Sequence, residues 1–148
     1  MEKTVSRNKS RPRACVATIL LFLHGCSGAP ARTDVLQTLP ACGLLPNCVN
    51  TQSGRGVQGS EPIEANAVQW QKLKAWIALQ DDWQIVIDDD NYLQAIVTSP
   101  AMRFRDDVQL LFVPRDGLIQ VRSSSRLGIS DLGANARRIE TLRDQLSL

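Results

Sequence analysis

Apolar residues recur at three- and four-residue intervals between Pro62 and Gln80, where Ala65, Val68, Leu73, Trp76, Ile77 and Leu79 approach a single helical face. The spacing predicts a helix there, with Trp70 off its apolar stripe. At Trp83 the period shortens to two, so Trp83 to Ile87 reads as a strand and Tyr92 to Thr98 as its return. The intervening Asp88-Asp89-Asp90-Asn91 lacks the spacing of a calcium loop and fits turn chemistry instead. Arg103 to Val113 is the clearest strand. Phe104, Val108, Leu110 and Phe112 share one face, and Arg103, Arg105, Asp107 and Gln109 the other. Asp106 falls on the apolar face, an anomaly that calls for a partner. Pro114-Arg115-Asp116-Gly117 makes a tight turn into Leu118 to Ser125, with Ile119 and Val121 inward and Gln120, Arg122 and Ser124 opposite. Ser130 or Asp131 then caps a last helix. Its buried stripe is Leu132, Ile139, Leu142 and Leu146, while Arg137, Arg138 and Arg143 face solvent or the sheet rim. The expected class is α+β: an antiparallel sheet of about four strands, with an N-terminal and a C-terminal helix packed on it.

The first residues follow a different pattern. Lys3, Arg7, Lys9, Arg11 and Arg13 precede an apolar run from Ala14 to Leu23, shorter than the ~20 residues a membrane span requires. Leu23-His24-Gly25-Cys26 closes that run and resembles a bacterial lipobox, which implies cleavage before Cys26 and acylation of its thiol and new amine, palmitate included. A plain secretory signal cut near Ala29 or Ala31 and an uncleaved anchor are the alternatives. The expected organisation is a signal over 1–25, a tether over 26–38 and one α+β domain over 39–148. Ser27, rather than Asp, follows the cysteine, which favours an outer-membrane location facing the periplasm. A single acyl chain binds a bilayer only marginally at ~0.8 kcal/mol per buried methylene, but several chains hold a domain there essentially permanently.

Cleavage would change the charge. The chain carries 17 basic and 15 acidic residues, and removing the five basic residues and Glu2 ahead of Cys26 leaves 12 and 14, a formal charge of −2. The basic character therefore belongs to the leader, and nucleic-acid binding has no electrostatic support. The only histidine, His24, leaves with the leader, which excludes histidine-dependent triads and imidazole zinc sites from the mature domain. Gly54, Gly56 and Gly59 neither follow a strand nor open a helix, so they form no phosphate loop. No cofactor or metal is expected.

Cys42 and Cys48 are the only cysteines after Cys26, and an exported chain would join them in a disulfide of structural kind. The densest polar cluster runs from Arg122 through Ser123, Ser125, Arg126, Ser130 and Asp131 to Asn135 and Arg138. It admits two readings. In one, Arg122, Arg126, Arg137 and Arg138 surround the free amides of the last helix and bind an anion, with Ser123, Ser125, Ser130, Asp131 and Asn135 as further ligand-binding candidates. In the other, Asp106 and Asp107 pair with Arg122 and Arg126 across strands, and Ser130 and Asp131 only cap the helix.

Three stretches resemble a known family: Leu39-Pro-Ala-Cys to Pro46-Asn47-Cys48-Val49, the strand Phe104 to Val108 with Asp106-Asp107, and Val121-Arg-Ser-Ser-Ser-Arg to Arg138-Ile139. Their order resembles that of domain of unknown function 1499, found in bacterial envelope proteins and in plastid-containing organisms. The resemblance covers roughly Leu39 to Leu146 and implies no activity. It departs at Gln94 and Ile96, where the family often has a histidine and an acid, at Ile129, where an aromatic is common, and at Ala136, where a basic residue is common. The leading expectation is thus a non-enzymatic, lipid-anchored envelope domain whose partner is a small anionic ligand or another envelope protein. A structural or assembly protein, with Trp70 as a contact, is the first alternative. A hydrolase using Asp106 or Asp107 as base and Ser123 or Ser125 as nucleophile is the second.

Overall fold

A computed structural model describes residues 38–53 and 58–147. The leader, Cys26 and the tether lie outside these residues. The fold is α+β, built on an antiparallel sheet with two helices. Its strands are β1 (Cys48–Asn50), β2 (Ile63–Glu64), β3 (Trp83–Asp88), β4 (Tyr92–Thr98), β5 (Arg105–Val113) and β6 (Leu118–Ser125). The helices are α1 (Ala67–Ala78) and α2 (Ala134–Ser147). The strand order is β1-β6-β5-β4-β3, with β2 also on β6. The sheet therefore has six strands where about four are predicted. β1 and β2, of three and two residues, are too short to show a period and take their extended form from β6.

The first helix corrects the sequence reading in both its start and its face. Asn66 sets the start: its side chain accepts from the amides of Val68 and Gln69 at 2.9 and 3.0 Å, and Gln69 Oε1 accepts from the Asn66 amide at 3.0 Å. This capping box satisfies amides that have no partner within the helix. The four residues before it form β2 and its exit, so α1 follows two strands and is not N-terminal to the sheet. Its buried face is Trp70, Leu73 and Ile77, whereas Val68 and Leu79 are exposed. Trp70, expected off the apolar face, is 1% exposed. Its ring stacks on Phe112 at 5.8 Å between centroids, and its Nε1 donates to the Asp90 carbonyl at 2.7 Å. Trp70 is a core residue, which removes it as a partner contact.

Both helices pack on one sheet face. There Trp70, Leu73, Ile77, Ile139 and Leu142 meet Val49, Leu93, Ala95, Val108, Leu110, Phe112, Ile119 and Val121. The opposite face, which no helix covers, is also buried: Tyr92, Gln94, Ile96, Asp107, Gln109, Leu111 and Arg122 are all at most 8% exposed. Leu39 packs there against Tyr92 and Leu111. Phe104 lies outside the strand and is exposed, as is Leu132, which stands ahead of α2 and not in its buried stripe. At the β5–β6 turn, Gly117 has φ +64, which a side-chain-bearing residue adopts only with strain.

Trp70→Ala should lower stability by about 3–5 kcal/mol, seen as a fall in the urea midpoint, because it empties a packed aromatic site. An unchanged midpoint would contradict the packing described. Cys42 and Cys48 are disulfide-bonded. Reduction should remove about 2–3 kcal/mol by loop-closure entropy, measured by the same titration with and without dithiothreitol.

Candidate functional site

Strand parity divides the Arg/Ser cluster in two. Ser123 and Ser125 share the helix-facing side of β6 with Ile119 and Val121, while Arg122 and Ser124 point to the opposite face. Residues adjacent in sequence are thereby placed in different environments.

On the helix side, Asp106 of β5 is answered by Arg138 of α2, with Nη2 2.8 Å from Oδ2. Arg138 Nη1 donates to Ser123 Oγ at 2.7 Å and to Asn135 Oδ1 at 2.8 Å, and Ser123 Oγ donates to Asn135 Oδ1 at 2.7 Å. Asn135 Nδ2 in turn donates to the Asn47 carbonyl at 2.9 Å and to Ser125 Oγ at 3.2 Å. Asn135 and Ser123 are fully buried. Such a group is stable in a low dielectric only when its partners are in place. This network ties α2, β5, β6 and the segment before β1 together, and it occupies the groups a Ser123–Asp106 nucleophile and base would need. Ser123 gives its hydroxyl proton to an amide oxygen, and Asp106 is held by a guanidinium.

The end of α2 is likewise occupied. Asp131 accepts from the amides of Gly133 at 3.0 Å and Asn135 at 2.8 Å, and Ser130 Oγ accepts from Leu132 at 3.3 Å. The carboxylate of Asp131 sits where the anion reading placed a ligand. Arg137 is exposed and donates to the Leu132 carbonyl at 3.0 Å.

The opposite face carries the less complete arrangement. Arg126 grips Asp107 at two points, Nε to Oδ2 at 2.9 Å and Nη2 to Oδ1 at 2.6 Å. The expected cross-strand pairs are thus replaced by Asp107 with Arg126, just past the end of β6, and Asp106 with Arg138 of α2; Arg122 forms no salt bridge with either carboxylate. Instead it lies in a polar row set by register, where Asn50, Arg122, Gln109 and Gln94 are successive partners across β1, β6, β5 and β4. Arg122 Nη1 donates to Gln109 Oε1 at 3.2 Å, Gln109 Nε2 to Tyr92 Oη at 2.9 Å, and Tyr92 Oη to Gln94 Oε1 at 3.0 Å. Arg122 is 8% exposed, and its buried Nε has no hydrogen-bond partner among the described residues. Burial pushes its guanidinium below the ordinary arginine range, opposed by the charge of Asp107 and then by Tyr92.

Arg122 also lines a cavity of about 470 Å³ with Ser124, Arg126, Asn47, Leu44 and Leu127. A larger concavity of about 800 Å³ lies between β2 and the end of α2, but its arginine, Arg143, is spent on Glu140 and the Glu61 carbonyl. The Arg122 cavity is the one that combines an enclosed cation with an unfilled donor. Sequence reasoning names Tyr92 only as a strand start, Gln94 only as a departure from the family pattern and Gln109 only as a polar-face residue, none of them as part of a site. Their polar positions at alternate sites of β4 and β5 were visible, but the register that lines them up with Arg122 was not. Among the described residues, no group of three or more His, Cys, Asp or Glu is placed to hold a metal ion.

The two arginines should respond oppositely to truncation. Arg126→Met removes the two-point guanidinium contact from the buried Asp107 carboxylate and should cost about 3–5 kcal/mol in urea unfolding. Arg122→Met removes a desolvated, under-partnered charge and should be neutral or stabilising by about 1–2 kcal/mol. A large loss for Arg122→Met would make that guanidinium a structural element.

No curated protein and no solved structure matches the chain. The family model for the protein of unknown function DUF1499 matches residues 38–146, the whole sheet and nearly all of both helices. With its paired aspartates, its Arg-Ser-Ser-Ser-Arg strand and the helix that answers them all inside that match, the chain belongs to the DUF1499 family.

Proposed function

We propose that this chain is a lipid-anchored envelope domain, held at the membrane through Cys26, that binds a small anionic ligand in the Arg122 cavity without transforming it. The observation that carries the reading is a cavity lined by Arg122, Arg126 and Ser124, where Arg122 is largely buried and, among the described residues, its Nε has no hydrogen-bond partner. A carboxylate or phosphate there would be drawn by the guanidinium charges of Arg122 and Arg126 on the cavity wall. Binding without catalysis fits the remaining chemistry, since Ser123, Ser125 and Asp106 are engaged in the network that fastens α2.

An assembly role in the envelope is the competing reading. It is favoured by the way Arg126 and Arg138, both first considered as ligand contacts, are held by Asp107 and Asp106.

Native mass spectrometry of the processed protein, gently extracted from its envelope, separates the two. The binding reading expects a small co-purifying mass that is lost in Arg122→Met, while the unfolding midpoint of that variant does not fall. It also expects inorganic phosphate to raise the melting temperature of the wild type and not of the variant. A bare chain with no phosphate response, or a stoichiometric protein complex, would favour assembly. The mass of the N-terminal peptide reports acylation at Cys26 independently.

A further inference from the structure

The exposed apolar side chains of this domain are gathered at one end. In the antiparallel sheet, β1, β5 and the helix α2 begin where β4 and β6 finish, so the segments 42–47, 99–104 and 126–133 meet at the same end. Among the described residues, seven of the ten exposed large hydrophobics lie on these three segments: Leu44, Leu45, Met102, Phe104, Leu127, Ile129 and Leu132. The opposite end carries Asp88, Asp89, Asp90, Arg115 and Asp116 in its turns. The domain is amphipathic along the axis of its strands.

These tips are held in place. The disulfide closes the loop bearing Leu44 and Leu45, and Asn47 Nδ2 donates to the Gly128 carbonyl at 2.9 Å, which fastens that loop to the one bearing Leu127 and Ile129. Ser99 Oγ and the Ser99 carbonyl accept from the amides of Phe104 and Arg103. Two residues other than glycine have positive φ among the described residues, Arg103 at 55° and Leu132 at 51°, and both lie here. A left-handed leucine that is 86% exposed is conformational strain that presents a side chain to the outside and gains no burial.

We propose that this end docks onto an anionic bilayer, with the leucine and isoleucine tips in the acyl-headgroup boundary and arginines against lipid phosphates. Separate apolar tips on three loops suit a soft partner that each can enter independently. Arg103 and Arg105 flank Phe104, and Arg137 lies one helical turn past Leu132; all three are exposed. The exposed carboxylates of this end, Asp81 and Asp82, sit apart at the β3 edge. The inference rests on the reading of Cys26 as the anchor for its choice of a bilayer over a protein. Twelve residues from Cys26 to Thr38 reach at most ~40 Å, and the sheet along β5 is ~30 Å long. Such a tether lets the loop end meet the surface that holds the chain.

The test uses the full processed protein in phosphatidylcholine vesicles, with and without phosphatidylglycerol, whose acyl chains carry bromine. Tryptophan is added at the loop end by Ile129→Trp or at the far turn by Arg115→Trp. The docked state predicts bromine quenching of the tryptophan at 129 and not at 115, deepened by phosphatidylglycerol. The triple change Arg103→Glu, Arg105→Glu, Arg137→Glu should abolish that deepening while leaving the unfolding midpoint in place. Ile129→Asp should reduce partition of the unacylated chain into vesicles by about ten- to a hundred-fold, the equivalent of one buried isoleucine. Equal quenching at the two sites, or none at either, would overturn the proposal, as would a stoichiometric complex that shields Ile129 without lipid. An unmodified Cys26 in the mass spectrum would overturn the anchor reading alone, since the contrast between the two tryptophans still reads docking at raised vesicle concentration.

Discussion

The ion pair between Asp106 and Arg138 is the interaction on which the arrangement of this domain depends. A carboxylate on the helix-facing side of β5 is intolerable unless a cation reaches it, and the cation comes from α2 across the end of the sheet. Once Arg138 is committed, Ser123 and Asn135 accept from its Nη1, and Asn135 carries the connection on to the segment before β1. One buried charge thus decides where the last helix lies, how β6 ends, and where the disulfide loop is moored. An apolar pair could fill the same volume without demanding a particular helix position; the ion pair accepts only one.

Against that satisfied network, the opposite face is conspicuous. Its polar row passes hydrogen bonds from Arg122 through Gln109 and Tyr92 to Gln94, yet the arginine at the head of the row keeps an unfilled donor. The two faces divide the cluster, with fastening on the helix side and a desolvated arginine at the head of the polar row on the other.

Much of this was legible in the sequence, and the parts that were not share a physical cause. The period-two patterns of Trp83 to Ile87, Tyr92 to Thr98 and Leu118 to Ser125 correspond to β3, β4 and β6, and misplaced Asp106 announced a buried partner before any partner was visible. Parity also separated Arg122 from Ser123, although the sequence reading still grouped them into one site. What a single chain conceals is register. Nothing local shows that Gln94, Gln109, Arg122 and Asn50 fall in one row, or that Arg138, and not Arg122, reaches Asp106. The face of α1 was misjudged because a tryptophan was weighed against a stripe containing Val68 and Leu79. Packing on Phe112 and the Asp90 carbonyl turns the helix so that Trp70 is inside.

The outer side of β6 has a consequence for crowded surroundings. It is covered by two short strands, and in the gap between them Thr51 takes over, donating its amide to the Val121 carbonyl at 2.9 Å and accepting from the Val121 amide through Oγ1 at 2.8 Å. The far rim, β3, is interrupted by a bulge between Ile85 and Ile87 and finishes at Asp88. Neither rim offers a long row of free amides and carbonyls for a passing chain to zip onto. An unfolded chain beside this domain therefore meets no long, regular edge among the described strands to pair with, so close packing does not by itself turn the sheet into a template for fibrils.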